Sequence, residues 1–383
     1  MRKIRDNENR VYCALFTYLI ASSFINQDIY AFTVRYASLV VFLVLGALAL
    51  PYLKEDIANK NADLILAVLT VFFSAVCAVL SGSGYGAVLI PSDLALICYM
   101  SGHLRLSGRA AAYLSFAGAC PVILWYSHVR WSYNFNMAGF AFMLMAFFGM
   151  LLLETVGQDD LVYIKNKSFI QRVIFLTGFI LSMLYHSRTA MFGMAVFALV
   201  YPLLSFMSTK RALCRFLFFL AVPGSVLFTA LYIRLAAVFG NMTLLYKDVF
   251  SGRQEIWKEL WGAFYGSPVA GIGSSYKLRS FEIFEVHNGM FDILAVHGVI
   301  VFILVTVMLW RAFERISKEI DIPENSLHKI EKGRRTAIAA AFAMMFTSYF
   351  ENFFTVPPYS IIFMTFLMMA QGGADRAEDP EKI

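Results

Sequence analysis

The residues best suited to chemistry fall within 251–299, a water-compatible interval between two apolar helices that carries two Trp, two His, a Gly-rich turn and four cations. Arg253 offers a planar fork of N–H donors, the geometry that grips a phosphate. His287 offers an imidazole, the side chain best suited to take a proton from a hydroxyl near neutral pH. Asn288 follows it directly. Two further cations stand in short loops: Arg130, within Ser127, His128, Arg130 and Trp131, and Arg188, within Tyr185, His186, Ser187, Arg188 and Thr189. Each charge-assisted hydrogen bond is worth about 1.5–3 kcal/mol. A single carboxylate would not need three arginines, whereas a pyrophosphate would.

Each residue also has a plainer reading. Arg253 lies four residues before Trp257, so it can head an apolar face and reach up to lipid phosphate. Asn288 is a good N-cap for the helix that follows. His287 suits a solvated boundary position, and Arg130 and Arg188 suit ion pairs with Glu351 or a loop acid. Pro268, Gly271 and Gly273 serve a chain reversal as well as a phosphate loop. Asp292 and His297 lie deeper in the next span, where an ionisable group needs a partner or a polar cavity.

The elements that must position these groups are helices in a membrane. The chain is 59% hydrophobic and 15% charged over 383 residues, with mean hydropathy +0.65, against about a quarter charged in a soluble domain. Apolar runs long enough to cross the hydrocarbon core recur throughout. The expectation is an all-α, polytopic integral-membrane bundle forming a single domain over 1–383. About twelve spans are expected near 11–26, 36–53, 63–80, 86–102, 110–127, 135–153, 169–185, 189–207, 212–234, 288–310, 336–350 and 356–371. Pro121, Pro202 and Pro223 are expected to kink their helices. The basic 1–10 segment precedes an apolar run without a small-x-small cleavage site, which predicts a retained first helix rather than a signal peptide.

Orientation follows from Lys and Arg. Most of the 32 fall in alternate loops that also hold the N-terminus, and such loops stay on the cytoplasmic side. Both termini are therefore expected inside, with a basic cytoplasmic loop over 311–335 and one large extracytoplasmic loop over 235–287, between the ninth and tenth spans. This topology also accounts for the net charge of +6 and pI near 9.0 without a nucleic-acid partner. In a short outer loop a cation opposes the same bias, which singles out Arg130 and Arg188. Within the large loop, Trp257, Leu260, Trp261 and Phe264 recur at helical spacing and predict an amphipathic helix lying in the headgroup layer. Cys13, Cys77, Cys98, Cys120 and Cys214 all fall in apolar runs and are expected as unpaired small hydrophobes.

Other chemistries lack their motifs. The sequence has no HExxH, no Walker loop, no Ser-nucleophile elbow and no DxD-like acid pair at a span mouth, so neither a metal centre nor a cofactor is expected.

Taken in order, the segments resemble the bacterial O-antigen ligase and O-antigen polymerase superfamily. The resemblance rests on Arg130 through Asn136 and Ala138, similar to that family's Arg…Asn-Pro-Asn…Ala; on Ser187-Arg188-Thr189; on Gly252-Arg253…Trp257 with Pro268…Gly271-Ile272-Gly273; and on His287-Asn288 before an apolar helix with Gly298. Phe135 stands where that family usually has Pro, and His297 where it often has an acid or another polar residue. The resemblance implies metal-independent, inverting glycosyl transfer at the outer face of the bacterial cytoplasmic membrane. The donor would be an undecaprenyl-pyrophosphate-linked glycan and the acceptor a second glycan. Arg130, Arg188 and Arg253 would bind the donor pyrophosphate and offset charge on the leaving group, with Arg253 counted as catalytic. Asn288 would also bind substrate, and His287 would be the general base on the acceptor hydroxyl or would orient it. Glu351 is an alternative base. A polymerase is favoured over a ligase, since no loop suggests a dedicated acceptor site. A flippase and a chain-length regulator would be further partners, besides membrane lipids. A transporter of lipid-linked glycan is the competing class, and a membrane scaffold the third, although a scaffold leaves the outer arginines unexplained.

Overall fold

The computed structural model describes residues 2–25, 27–121, 135–156, 166–206, 210–240, 242–244, 247–248, 250, 252–279, 285–320 and 328–371. Arg130 lies outside them. The described chain is all-α apart from one two-residue hairpin. In order it forms α1 (Arg2–Ile25), α2 (Gln27–Ala58), α3 (Ala62–Leu80), α4 (Gly86–His103), α5 (Gly108–Ala119), α6 (Phe135–Val156), α7 (Lys167–Leu184), α8 (Arg188–Phe206), α9 (Lys210–Ala221) and α10 (Pro223–Phe239). After β1 (Thr243–Leu244) and β2 (Lys247–Asp248) come α11 (Arg253–Gly266), α12 (Gly289–Ile320), α13 (His328–Thr347) and α14 (Pro357–Ala370).

The centre of the bundle is α14, in which every residue but Met369 is buried. It packs against α1, α2, α4, α5, α12 and α13. Tyr12 of α1 is fully buried and fixes one of these contacts, donating to Ile361 O at 3.1 Å and lying 2.7 Å from Thr365 Oγ1. Beside α14, the run Ala337–Met345 of α13 is buried throughout. Its five alanines let neighbouring helices approach closely.

The periphery reads in reverse. On α7 the buried residues are Gln171, Gly178 and Ser182, while Phe169, Val173, Leu176, Ile180 and Leu184 are exposed. On α10, Leu227, Leu231 and Val238 are exposed, whereas Ser225 and Thr229 are buried. Large apolar side chains pointing outward and small or polar ones pointing inward suit a lipid surrounding.

Among the described residues, six helices are long and apolar enough to cross a membrane, or seven if the pair α9 and α10, bent by 44°, is one broken span. The expected count of about twelve is therefore corrected, for physical reasons. Only α2, α3, α6, α7, α8 and α12 pass by length and composition. Charged residues fill the first turns of α1 and α13, and α4 contains Pro91 and Asp93. The 14 residues of α14 reach only about 21 Å at 1.5 Å per residue. The expected break at Pro223 is present, because that residue starts α10 directly after the bend. Pro202, in contrast, lies inside a continuous α8.

The expected loop at 311–335 is mostly helical: α12 continues to Ile320 and α13 begins at His328. Its arginines pack rather than dangle. Arg311 and Arg315 pair with Asp63 at the start of α3. Arg334 donates to Gln371 O at 3.0 Å, and Arg335 to Ser205 Oγ at 2.6 Å. With Arg211 and Arg215 on Glu314 and Lys167 on Glu154, they form one basic face of the bundle. Within 235–287 the described residues form the end of α10, the hairpin and α11, and Ser274 N donates to Ser83 Oγ just past the C-terminus of α3, the end away from Asp63. The five cysteines, all among the described residues, form no disulfide.

Candidate functional site

The site is built by α11 and by the segment that follows it. Gly252, at φ +79°, turns the chain so that Arg253 is the first residue of α11. Ile256, Trp257, Leu260 and Phe264 are then buried on one side of that helix. This apolar stripe was expected in the headgroup layer, but it packs on protein. Trp257 is fully buried and donates from Nε1 to Val286 O at 2.7 Å. Trp261 donates to Thr229 Oγ1 of α10 at 2.9 Å and its ring lies 4.9 Å from that of Phe291 in α12. A covered indole with a satisfied N–H gains more there than at a wet interface.

The Trp257 hydrogen bond clamps the residue just before His287, and Asn288 clamps the one after it. Asn288 is fully buried. Its Oδ1 accepts from Phe291 N at 2.9 Å and Ser225 Oγ at 3.1 Å, and its Nδ2 donates to Ser225 O at 3.1 Å and Tyr349 O at 3.3 Å. Asn288 is thus the N-cap of α12 and ties α10, α12 and the end of α13 together. Between these two clamps His287 adopts φ +54°, a left-handed conformation that a side chain disfavours and that surrounding contacts must hold.

At this point the end of α13 meets the site. Arg253 Nη2 donates to Phe350 O at 3.1 Å and to Glu351 Oε1 at 3.4 Å, with the guanidinium 5.9 Å from the Phe350 ring centroid. Asn136 of α6 donates to the same Oε1 at 3.0 Å. His287 Nδ1 lies 3.8 Å from Glu351 Oε2, and its Nε2 lies 3.4 Å from Glu285 Oε2. Arg253 and Glu351 are only 13% and 17% exposed in their side chains. Tyr30, near the start of α2, lies close enough to feel the charge of both Glu285 and Glu351. Several polar atoms at this junction are buried without a hydrogen-bond partner among the described residues: Arg253 Nε, Gln254 Oε1, Ser348 Oγ and Asn352 Oδ1. Orphan donors and acceptors of this kind call for water or a ligand.

Three of the four arginine and histidine candidates can be placed. Arg253 and His287 meet at Glu351. Arg188, half-buried, begins α8 one turn before Phe192, whose ring packs 5.5 Å from that of Phe350. Gly139, just after Asn136, leaves room only because it lacks a Cβ beside Ser187. These contacts put Arg188 at the same end of the bundle as Glu351. Arg253 makes an ion pair with Glu351, and the ion pair expected for Arg130 with Glu351 or a loop acid falls outside the described residues.

The Gly-rich turn acts as a structural strap. Ile272 N and Gly273 N donate to Ala295 O at 2.8 Å and Val296 O at 3.1 Å, and Val299 N donates to Pro268 O at 2.9 Å. These bonds satisfy α12 where Gly298, at φ 85° and ψ 169°, interrupts it. A turn whose amides are spent on carbonyls is not a phosphate cradle. Among the described residues no group of three His, Cys, Asp or Glu side chains is arranged to hold a metal ion.

The junction therefore combines a cation, an imidazole and a carboxylate at one end of an apolar bundle. Such a trio can grip a phosphate-bearing ligand and move a proton to or from a hydroxyl. No protein-family model, curated protein or solved structure matches the chain.

Proposed function

We propose that the protein is an integral-membrane glycosyltransferase that polymerises undecaprenyl-pyrophosphate-linked oligosaccharide repeat units into a surface polysaccharide. One observation carries the reading: Arg253 and His287, singled out by their chemistry, meet at a single carboxylate, Glu351, where Arg253 Nε is buried without an acceptor among the described residues. Arg253, with Arg188 and Arg130, holds the donor pyrophosphate. The acceptor hydroxyl attacks the anomeric carbon while the bond from that carbon to the pyrophosphate oxygen breaks. The electron pair leaves with the lipid pyrophosphate, whose charge the arginines offset. The hydroxyl proton passes to His287 or to Glu351. The pyrophosphate is already a good leaving group, so the reaction needs no nucleotide and no metal. The site faces outward from the cytoplasmic membrane and both termini face inward. The Arg-rich opposite face supports this orientation, since such residues are retained inside.

A ligase, moving a finished glycan to a different acceptor, would use the same junction. A transporter of lipid-linked glycan is the reading of another class. It draws on the interruption of α12 at Gly298, because broken helices line many transport sites.

Mass spectrometry of lipid-linked glycans in cells lacking the protein separates the three. Single repeat units accumulating on the outer face mean a polymerase, and long polymer stranded on the lipid means a ligase. Single units held on the cytoplasmic face mean a transporter and overturn the enzymatic reading, as does an unchanged glycan pool.

A further inference from the structure

A groove separate from the Arg253–Glu351 junction lies between α11 and the strap segment that follows it. It encloses about 600 Å³, within the roughly 300–1,000 Å³ typical of small-molecule sites. Its walls include Ser81, Glu259, Gly262, Ser267, Tyr276 and Arg279. Glu259 is six residues beyond Arg253, about 9 Å along the helix axis at 1.5 Å per residue, and off the buried stripe of α11.

The chemistry of the walls restricts the ligand. Glu259 Oε1 accepts from the Tyr276 hydroxyl at 3.1 Å and from Arg279 N at 2.7 Å, so the carboxylate is held in place. Among the described lining residues the charges of Glu259 and Arg279 offset one another, which suits an uncharged ligand over a charged one that would have to shed its hydration. A carboxylate, a phenol, two serine hydroxyls and a guanidinium offer acceptors and donors to neighbouring hydroxyl groups. Burial and the adjacent Glu259 carboxylate raise the Tyr276 phenol, which therefore keeps its proton. Gly262 has no atom within 4 Å of where a Cβ would stand, so one wall is open backbone against which a flat ring can lie.

We propose that this groove binds a neutral oligosaccharide through the hydroxyl groups of its sugar rings. On the glycosyltransferase reading, on which this one identification rests, the occupant is the acceptor end of the growing glycan. Binding itself needs no such reading.

The test uses the full chain in lipid nanodiscs, with saturation-transfer NMR as the readout. The probes are maltotetraose, cellotetraose and lacto-N-tetraose as neutral saccharides, and tetragalacturonate as an acidic one. At least one neutral probe is expected to bind, and tetragalacturonate to bind more weakly. Gly262→Trp, which places a bulky ring in the groove wall, is expected to raise the Kd read from a titration of the neutral signal by about tenfold, a loss of about 1.4 kcal/mol. Lys258→Ala, at an exposed position of α11 outside the groove lining, is expected to retain the parent Kd and serves as the control. Failure of every neutral probe to bind overturns the proposal, as does preference for the acidic probe or unchanged binding in a folded Gly262→Trp protein. If saccharide binds while cells lacking the protein keep normal lipid-linked glycans, the groove stands and the transferase reading falls. If repeat units accumulate but no neutral saccharide binds, the reverse holds.

Discussion

Arg253 and Glu351, 98 positions apart in the chain, meet with Nη2 3.4 Å from Oε1 where α11 begins and α13 ends. The pair joins the segment that carries His287 to the bundle core. It also occupies the cation that an anionic ligand would need. On the proposed reading a substrate phosphate displaces Glu351 or shares Arg253 with it, and Arg253 Nε, buried without an acceptor among the described residues, offers a further donor.

Removing the competing charge gives the first prediction. Glu351→Gln keeps an amide oxygen for Asn136 and Arg253 but no longer repels an anion. Opposite charges at this separation interact by a few kcal/mol in a partly buried setting. Binding of inorganic pyrophosphate to the full chain in nanodiscs, measured by calorimetry, is expected to tighten by about tenfold, or 1.4 kcal/mol. Unchanged or weaker binding would mean that Glu351 does not compete for Arg253.

Arg253 itself is expected to be irreplaceable by lysine. An ammonium keeps the charge but cannot reach Phe350 O and Glu351 while presenting a second donor edge. Arg253→Lys and Arg253→Ala should both weaken pyrophosphate binding, by roughly 10–100-fold for the loss of one charge-assisted hydrogen bond worth about 1.5–3 kcal/mol. A lysine variant that binds like the parent would reduce Arg253 to a source of charge.

Asn288 separates architecture from binding. Its four hydrogen bonds are all internal, so Asn288→Ala leaves buried partners unsatisfied at a cost of about 1–3 kcal/mol each. The melting temperature in detergent should fall clearly. A variant that melts like the parent yet loses substrate binding would instead return Asn288 to the ligand.

The strap over the break in α12 depends on its glycines. A Cβ on Gly271, at φ +75°, would stand 2.3 Å from Val296 O, so Gly271→Ala must push the 268–273 turn off α12. Hydrogen exchange should then rise at Ile272 and Gly273, whose amides are bonded to Ala295 and Val296. Gly262→Ala is the matched control and should leave exchange at those amides unchanged. Equal protection in both variants would show that the strap tolerates a side chain.

Local pattern made part of this legible. The spacing of Trp257, Leu260 and Phe264 defined α11, and Asn288 before an apolar run defined a cap, because both signals lie within a few residues of each other. The partner of the stripe did not follow from it. Period alone cannot distinguish lipid headgroups from Thr229 and Phe291. The meeting of Arg253 with Glu351 was hidden for the same reason: it depends on where α13 ends relative to α11. Hydropathy misjudged α12 and α13 because Arg311, Arg315, Arg334 and Arg335 resemble a loop until Asp63, Gln371 and Ser205 are seen to receive them.

Orientation is the prediction on which the proposed chemistry depends most. Ser275 is exposed beside the strap, at the end of the bundle that holds Glu351, and Asn59 is exposed in the turn between α2 and α3, near Asp63 and the basic face. In a variant lacking the native cysteines, Ser275→Cys should react with a membrane-impermeant maleimide in intact cells. Asn59→Cys should react only after the membrane is opened. Lys and Arg retained on the cytoplasmic side require this order, and so does a donor displayed on the outer leaflet. The opposite labelling would place Arg253, His287 and Glu351 in the cytoplasm. Those residues would then have to act on a cytoplasmic phosphate ligand, and extracytoplasmic glycan transfer would be excluded whatever the affinity of Arg253 for pyrophosphate.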